Sequence, residues 1–304
     1  MQLNVLVNKL DTEFDIESFG KDPAFSRFIP EVYSASKVDW PSIFEDGFTQ
    51  LFNGLMVKGA PEVKNIFLAV FPTDHVLERF INESVPGDLL FMHHPLLMEC
   101  GDPQGKWGRG FVPIKEEYLE KVMEKQLSIY TCHVPMDYHK QLGTSAAIAE
   151  ALNAEIVDGF LPDENGNPLV LICAISQTDT SSLIQKAKDI FDLPYVDFEG
   201  KDAEGIEKIA IVAGCGDKVD WMQQAEQRGV QAYITGEIHC HIDNDYGKMK
   251  YKKMLEFAKH TSMSLIGVSH SASEYLVKKT LIKEWIEREF QVQPVLIPQE
   301  KWWL

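Results

Sequence analysis

No apolar run in this 304-residue sequence approaches the ~20 residues that a bilayer-crossing helix needs. The opening Met1-Gln2-Leu3-Asn4 lacks the basic residues, apolar stretch and small-residue cleavage site of a secretory leader, so none is expected. Cysteine is scarce. The five (Cys100, Cys132, Cys173, Cys215 and Cys240) are widely spaced and form no C-x-x-C pair, which excludes a disulfide framework and fits reduced thiols in a cytoplasmic protein. Each reads first as a small buried hydrophobe. Positive charge is also short: 29 Lys and Arg stand against 46 Asp and Glu, and the formal net charge of −17 opposes nonspecific binding to nucleic acid or an anionic membrane. The modest basic cluster over 248–253 reads as helical surface. Short-period repeats and low-complexity segments are missing too. What remains, 45% hydrophobic and 25% charged residues, describes a globular chain long enough for two lobes.

The order of apolar runs points to an α/β fold. Strands are expected near 53–57, 65–71 and 89–92. Between the last two, Thr73 can cap a helix whose apolar face is Val76, Leu77, Phe80 and Ile81, which makes a β-α-β unit with a parallel pair. Pro95 should end the 89–92 ladder, since it lacks a backbone donor and biases His94 toward extended geometry. Residues 98–113, rich in Gly, Pro and Trp, read as a long loop. A helix over 114–126, a strand over 127–131 and a helix over 145–152 follow. The pattern restarts at about residue 156, with strands near 169–175, 209–213, 232–235 and 264–268. Residues 192–205 read as a polar excursion, and the last long helix as about 271–290.

Four strand tips carry metal-capable side chains: His93 and His94; His133 and Asp137; Glu237, His239 and His241; His270 and Glu274. Six of the nine histidines stand there, which packing alone does not explain. Imidazole and carboxylate without thiolate suit zinc, manganese, iron or magnesium, and several His with Asp and Glu fit two ions ~3.5–4 Å apart. Each tip also has a plainer reading. Adjacent histidines can be exposed turn residues, and Asp137 can serve an Asx turn or a helix cap. Ser271-Ala272-Ser273-Glu274 is a capping-box pattern that would turn Glu274 to the backbone. Gly214-Cys215-Gly216 is a tight turn before it is an anion site. His93 and His94, neighbours on an extended backbone, should point apart and reach two different ions.

Together the tips resemble the Nif-three-like family, also called GTP cyclohydrolase I type 2 homologues. The resemblance runs through His93-His94-Pro95, Tyr130-Thr131-Cys132-His133 with Asp137, Ile234-Thr235-Gly236-Glu237 with His241, and Gly267-Val268-Ser269-His270 with Glu274. Asn53-Gly54-Leu55 looks like the family's Asn-x-Gly-Leu with one residue missing. Roughly residues 45–298 are covered. The resemblance implies two α/β lobes with mainly parallel or mixed sheets and a dinuclear metal cleft between them. The first lobe is expected over 1–155, with 1–40 an N-terminal extension, rejoined by 263–304; the second covers 156–262. It further implies two divalent ions per subunit, on His93, His94, Asp137, His270 and Glu274, with His133 and His241 orienting or moving protons beside them. A toroidal homohexamer is also implied. The chain departs from the family's pattern where Leu51-Phe52 stand for Trp-Asp, Phe71 for an Asp, and Val134-Pro135-Met136 for Thr-Asn-Leu. The ligands survive these changes, whereas the wall around the substrate does not.

Two functions follow from the resemblance. One is a metal-dependent hydrolase acting on a small phosphorylated or purine-like substrate, GTP cyclohydrolase-like activity being its specific version. The other is a non-catalytic metal-loaded ring serving as a protein-interaction or regulatory module.

Overall fold

A computed structural model describes residues 1–36, 38–100, 110–240, 242 and 244–302. In chain order its strands are β1 (Gly54–Val57), β2 (Ile66–Leu68), β3 (Leu89–Met92), β4 (Leu97–Cys100), β5 (Gly110–Pro113), β6 (Ser128–Thr131), β7 (Glu155–Pro162), β8 (Pro168–Asp179), β9 (Asp197–Gly200), β10 (Glu204–Val212), β11 (Ala232–Thr235), β12 (Ser264–Gly267) and β13 (Val295–Leu296). The protein is a mixed α/β fold with mixed sheets. Among the described residues no helix is long and apolar enough to cross a membrane. The chain divides into two compact units, one built on Met1–Glu99, Phe111–Met136 and Lys278–Glu300, the other on Asp137–Val277 with Cys100, Gly110, Lys301 and Trp302.

The first unit holds a sheet in the order β1-β6-β3-β2-β13, parallel throughout except for β1 against β6. Its β2–β3 crossover is the helix Asp74–Glu83. Thr73 Oγ1 accepts from the Val76 amide at 3.2 Å to start that helix, and Val76, Leu77, Phe80 and Ile81 are its buried face. All four residues of β3 and of β6 are buried, as a continuous apolar run in a covered sheet requires. Register decides what emerges at the end of this sheet. Met92 pairs with Thr131, so His93 and Cys132-His133 leave adjacent strands side by side.

Before β1 the described residues include the helices Leu3–Glu13, Ile16–Phe19, Phe25–Ser36, Trp40–Ile43 and Asp46–Leu51. They are not peripheral to their unit. Phe25, Ile29 and Tyr33 lie in its core, the Tyr33 hydroxyl donates to the Leu96 carbonyl, and the Phe14 ring meets Phe91 edge-on.

The second unit holds the sheet β7-β8-β10-β11-β12-β9, in which only β10, β11 and β12 run parallel. Val212 pairs with Thr235 and Thr235 with Gly267, so three chain segments (213–216, 236–240 and 268–270) leave the sheet level with one another.

Several elements differ from the sequence reading. β9 lies inside the expected polar excursion; as a partly exposed edge strand, Asp-Phe-Glu-Gly, it shows no apolar alternation. The two ends of the expected 98–113 loop are strands, β4 and β5, which pair with each other; its middle lies outside the described residues. The last helix starts at His270 and carries a π-helical turn, Lys278–Ile282, between His270–Val277 and Lys283–Phe290. The chain passes from the second unit to the first between Val277 and Lys278, where that turn begins. β12 is hydrogen-bonded to β11 and β9, and the 270–277 helix packs on the helix Thr144–Ala151, so both belong with the second unit.

Candidate metal centre

The first unit brings three predicted residues together. One ring nitrogen from each of His93, His94 and His133 lies within 4.8 Å of the others, so the three could hold a metal ion. His93 is fully buried, and its Nδ1 sits 2.8 Å from the Cys132 carbonyl. A carbonyl only accepts, so this Nδ1 carries the proton and Nε2 the lone pair. The His94 ring stacks on Phe71 at 3.9 Å and meets Phe25 edge-on, while its amide donates to the Val70 carbonyl. The two rings do not point apart as expected. Their centroids are 4.9 Å from each other and each is 5.1 Å from the His133 ring, because the backbone bends at these residues and strand alternation has already ended.

His133 is held from two directions. Its amide donates to Asn53 Oδ1 at 2.7 Å, and its Nδ1 lies 2.7 Å from Asp22 Oδ2. Asp22 is buried, which pushes its carboxyl pKa up. The His133 charge and hydrogen bond, with the amides of Phe25 and Ala24, outweigh that burial and hold it below the ordinary carboxylate value. Nothing in the sequence pointed to Asp22 as a site residue. Its one signal, an Asp before Pro23 and a helical run, marks a helix start and no more.

In the second unit the pair is His270 and Glu274. Ser269 adopts φ +76°, and its Oγ accepts from the Ala272 amide at 3.3 Å. The helix is therefore capped one turn before Glu274, which removes the capping-box alternative. Glu274 Oε1 instead lies 2.9 Å from His270 Nε2, four residues back on the same face. The other ring nitrogen, Nδ1, is 2.8 Å from Glu237 Oε1. This is the carboxylate–histidine arrangement that orients a metal-binding imidazole through its far nitrogen. Two glycines permit the close approach. A Cβ on Gly214, at φ +70°, would stand 2.5 Å from Glu274 Oε1 and 3.2 Å from His270 Nε2; one on Gly236 would stand 2.8 Å from His270 Cα. The Gly214 turn is thus a cradle for the pair, and its amide donates to Ser273 Oγ at 2.9 Å.

Asp137 ends the short helix Val134–Asp137, and its Oδ1 accepts from Thr144 Oγ1 at 2.9 Å at the start of the next long helix. His241 lies outside the described residues. His239 turns to the edge strand β9, with Nε2 3.2 Å from Glu199 and Nδ1 3.8 Å from Asp197. These carboxylates, Asp197 first, raise its pKa against burial. The cysteines Cys132, Cys173, Cys215 and Cys240 are free thiols, and burial pushes Cys173 up to about 12.

The donor chemistry fits a divalent ion. His93 and His270 each have Nδ1 anchored on an oxygen, which leaves Nε2 as the ligating nitrogen, and a buried carboxylate accompanies His270. No thiolate is involved, which favours borderline or hard metals.

The sequence is similar to proteins named GTP cyclohydrolase 1 type 2 homolog. It is 24% identical to that of Pseudomonas aeruginosa over 254 residues, covering 81% of this chain and 87% of the relative. It is 30% identical to that of Archaeoglobus fulgidus over 192 residues, covering 61% of this chain and 69% of the relative. In fold it is similar to the structural-genomics protein ybgI, with TM-score 0.70 at 18% identity over 99% of this chain and 100% of the other. Reduced HcgD from Methanocaldococcus jannaschii gives 0.62 at 16% identity over 99% and 98%. The profile of Duf34/NIF3 (NGG1p interacting factor 3) matches residues 50–301, which takes in the His93-His94 bend, His133 and the His270–Glu274 pair, and the chain belongs to this family.

Proposed function

We propose that this protein is a dinuclear metal-dependent hydrolase acting on a small phosphorylated or purine-like molecule. In this reading His93, His94, Asp137, His270 and Glu274 hold two divalent ions. The observation that carries it is the anchoring of His93 and His270 through Nδ1, to the Cys132 carbonyl and the Glu237 carboxylate, beside buried partners. Burying imidazoles and a carboxylate has no packing benefit that apolar residues would not exceed, whereas a ligand set requires it. Bound ions would supply Lewis acidity and lower the pKa of a water. The chain's own part is to orient the ligands, to exclude water with Phe25 and Phe71 around His94, and to accept a proton at His133 or His241. The names of the curated relatives support a GTP cyclohydrolase-like reaction as the specific version. A toroidal hexamer in the cytoplasm completes the reading.

Metal analysis of purified protein should find about two ions per chain, and Glu274→Gln should lose metal while keeping its helix content, since Ser269 and not Glu274 caps that helix. The metal-loaded protein is then screened for turnover against nucleotides and phosphate esters, with His93→Ala as control. Turnover that His93→Ala abolishes supports the hydrolase. Full metal occupancy with no turnover across the panel replaces it with the non-catalytic ring, and a folded protein that refuses metal sinks both. Light scattering at micromolar protein reports the assembly.

A further inference from the structure

We propose that Asp22, carried by the N-terminal helices, is a positioning residue that fixes His133 as its Nδ1–H tautomer and so presents Nε2 as the proton acceptor beside His93 and His94. The use made of that acceptor rests on the hydrolase reading above; the tautomer does not.

Asp22 is 1% exposed, and both of its oxygens are engaged within its own unit. Oδ1 accepts from the amides of Ala24 at 2.9 Å and Phe25 at 2.8 Å, at the entry to the helix Phe25–Ser36. Oδ2 faces His133 Nδ1 at 2.7 Å. A carboxylate oxygen accepts, so at this distance Nδ1 is the protonated nitrogen and the lone pair lies on Nε2. The two amide bonds keep the carboxylate from rotating away, and the Asn53 bond to the His133 amide keeps the ring's backbone in place. Phe25, three residues after Asp22, meets the His133 ring edge-on at 4.8 Å and the His94 ring at 5.8 Å. One turn of the N-terminal segment therefore supplies both the orienting carboxylate and an apolar wall.

In the reaction His133 Nε2 takes the proton of an attacking water. The imidazolium so formed keeps its Nδ1–H bond to Oδ2, and no proton passes to Asp22. A cap alone would need only Oδ1, and the short second contact is what sets the proposal apart from a capping role.

The test uses the full chain labelled with ¹⁵N-histidine. Long-range ¹H–¹⁵N spectra are recorded at a pH where the ring is neutral, and His133 is assigned by the signal missing in His133→Gln. Wild type should show Nδ1–H and a lone pair on Nε2. Asp22→Asn keeps the cap, since Asn serves that position as well as Asp, but turns its amide toward Nδ1, so His133 should switch to the Nε2–H form. An Nε2–H wild type, or an Asn variant with unchanged spectra, overturns the assignment. If the substrate panel yields turnover, Asp22→Asn should lower kcat by about 10²-fold or more with KM little changed, the range of a lost general base; a switched tautomer with unchanged kcat overturns the proton-acceptor role. A panel without turnover defeats the hydrolase reading and leaves the spectra to decide the tautomer.

Discussion

Gly214 offers a perturbation whose costs separate cleanly. Replacing it by Ala places a residue with a Cβ at φ +70°, which costs about 1–2 kcal/mol in the left-handed region. The Cβ also lands 2.5 Å from Glu274 Oε1 and 3.2 Å from His270 Nε2. The nearer atom is the end of a flexible side chain, so Glu274 would rotate off its preferred rotamer for about 0.5–1.5 kcal/mol more instead of unfolding the unit. The expected stability loss is therefore modest, about 1.5–3.5 kcal/mol in all. The expected effect on metal is larger in consequence, because the atom displaced is a ligand: about 10–100-fold weaker binding, as when the support of a ligand is removed. Gly166 supplies the control. It has φ +80° and nothing within 4 Å of a built Cβ, so Gly166→Ala bears the backbone cost alone. Urea unfolding of the metal-free proteins and calorimetric titration with manganese or zinc measure the two quantities. If Gly214→Ala binds metal as tightly as wild type and loses no more stability than Gly166→Ala, the cradle argument is wrong.

Two further outcomes are expected. The buried Tyr130 hydroxyl donates to Asp11 Oδ1 at 2.8 Å, and burial, opposed by that bond, raises the Asp11 pKa. Tyr130→Phe should thus cost about 1–2 kcal/mol by leaving the carboxylate without this donor, and a urea-derived loss near zero would refute the role given to the bond. His239, raised above its ordinary 6.5 by Asp197 and Glu199, contributes stability that is fully present below the unfolded value and is lost as pH rises through the folded one. The urea midpoint should accordingly decline from about pH 6.5 upward, and His239→Gln should flatten that decline; an equal slope in the variant would count against the contact.

Much of the architecture was legible without coordinates. The β2–helix–β3 unit followed from an apolar run, a capping Thr73 and a 3.6-residue stripe, all local signals. The same is true of the tips, where His93, His94, His133, His270 and Glu274 stand because strands end there. β9 is not legible in the sequence because a half-exposed edge strand carries no alternation, and the last helix starts one residue before its apolar pattern because Ser269 caps it from a left-handed φ that sequence does not announce.

The sequence by itself determined which side chains could bind metal, for ligand chemistry is a property of residue type and its strand-end placement a property of local pattern. Only the tertiary structure decided what orients them. Asp22 and His133 are 111 positions apart, Glu237 and His270 33, and Gly214 and Glu274 sixty (274 − 214). These pairings depend on strand register and on a turn or helix start brought from elsewhere in the chain, and no periodicity in the sequence encodes contacts of that range. The role of the N-terminal segment therefore became visible only when its helix start was seen beneath the His133 ring.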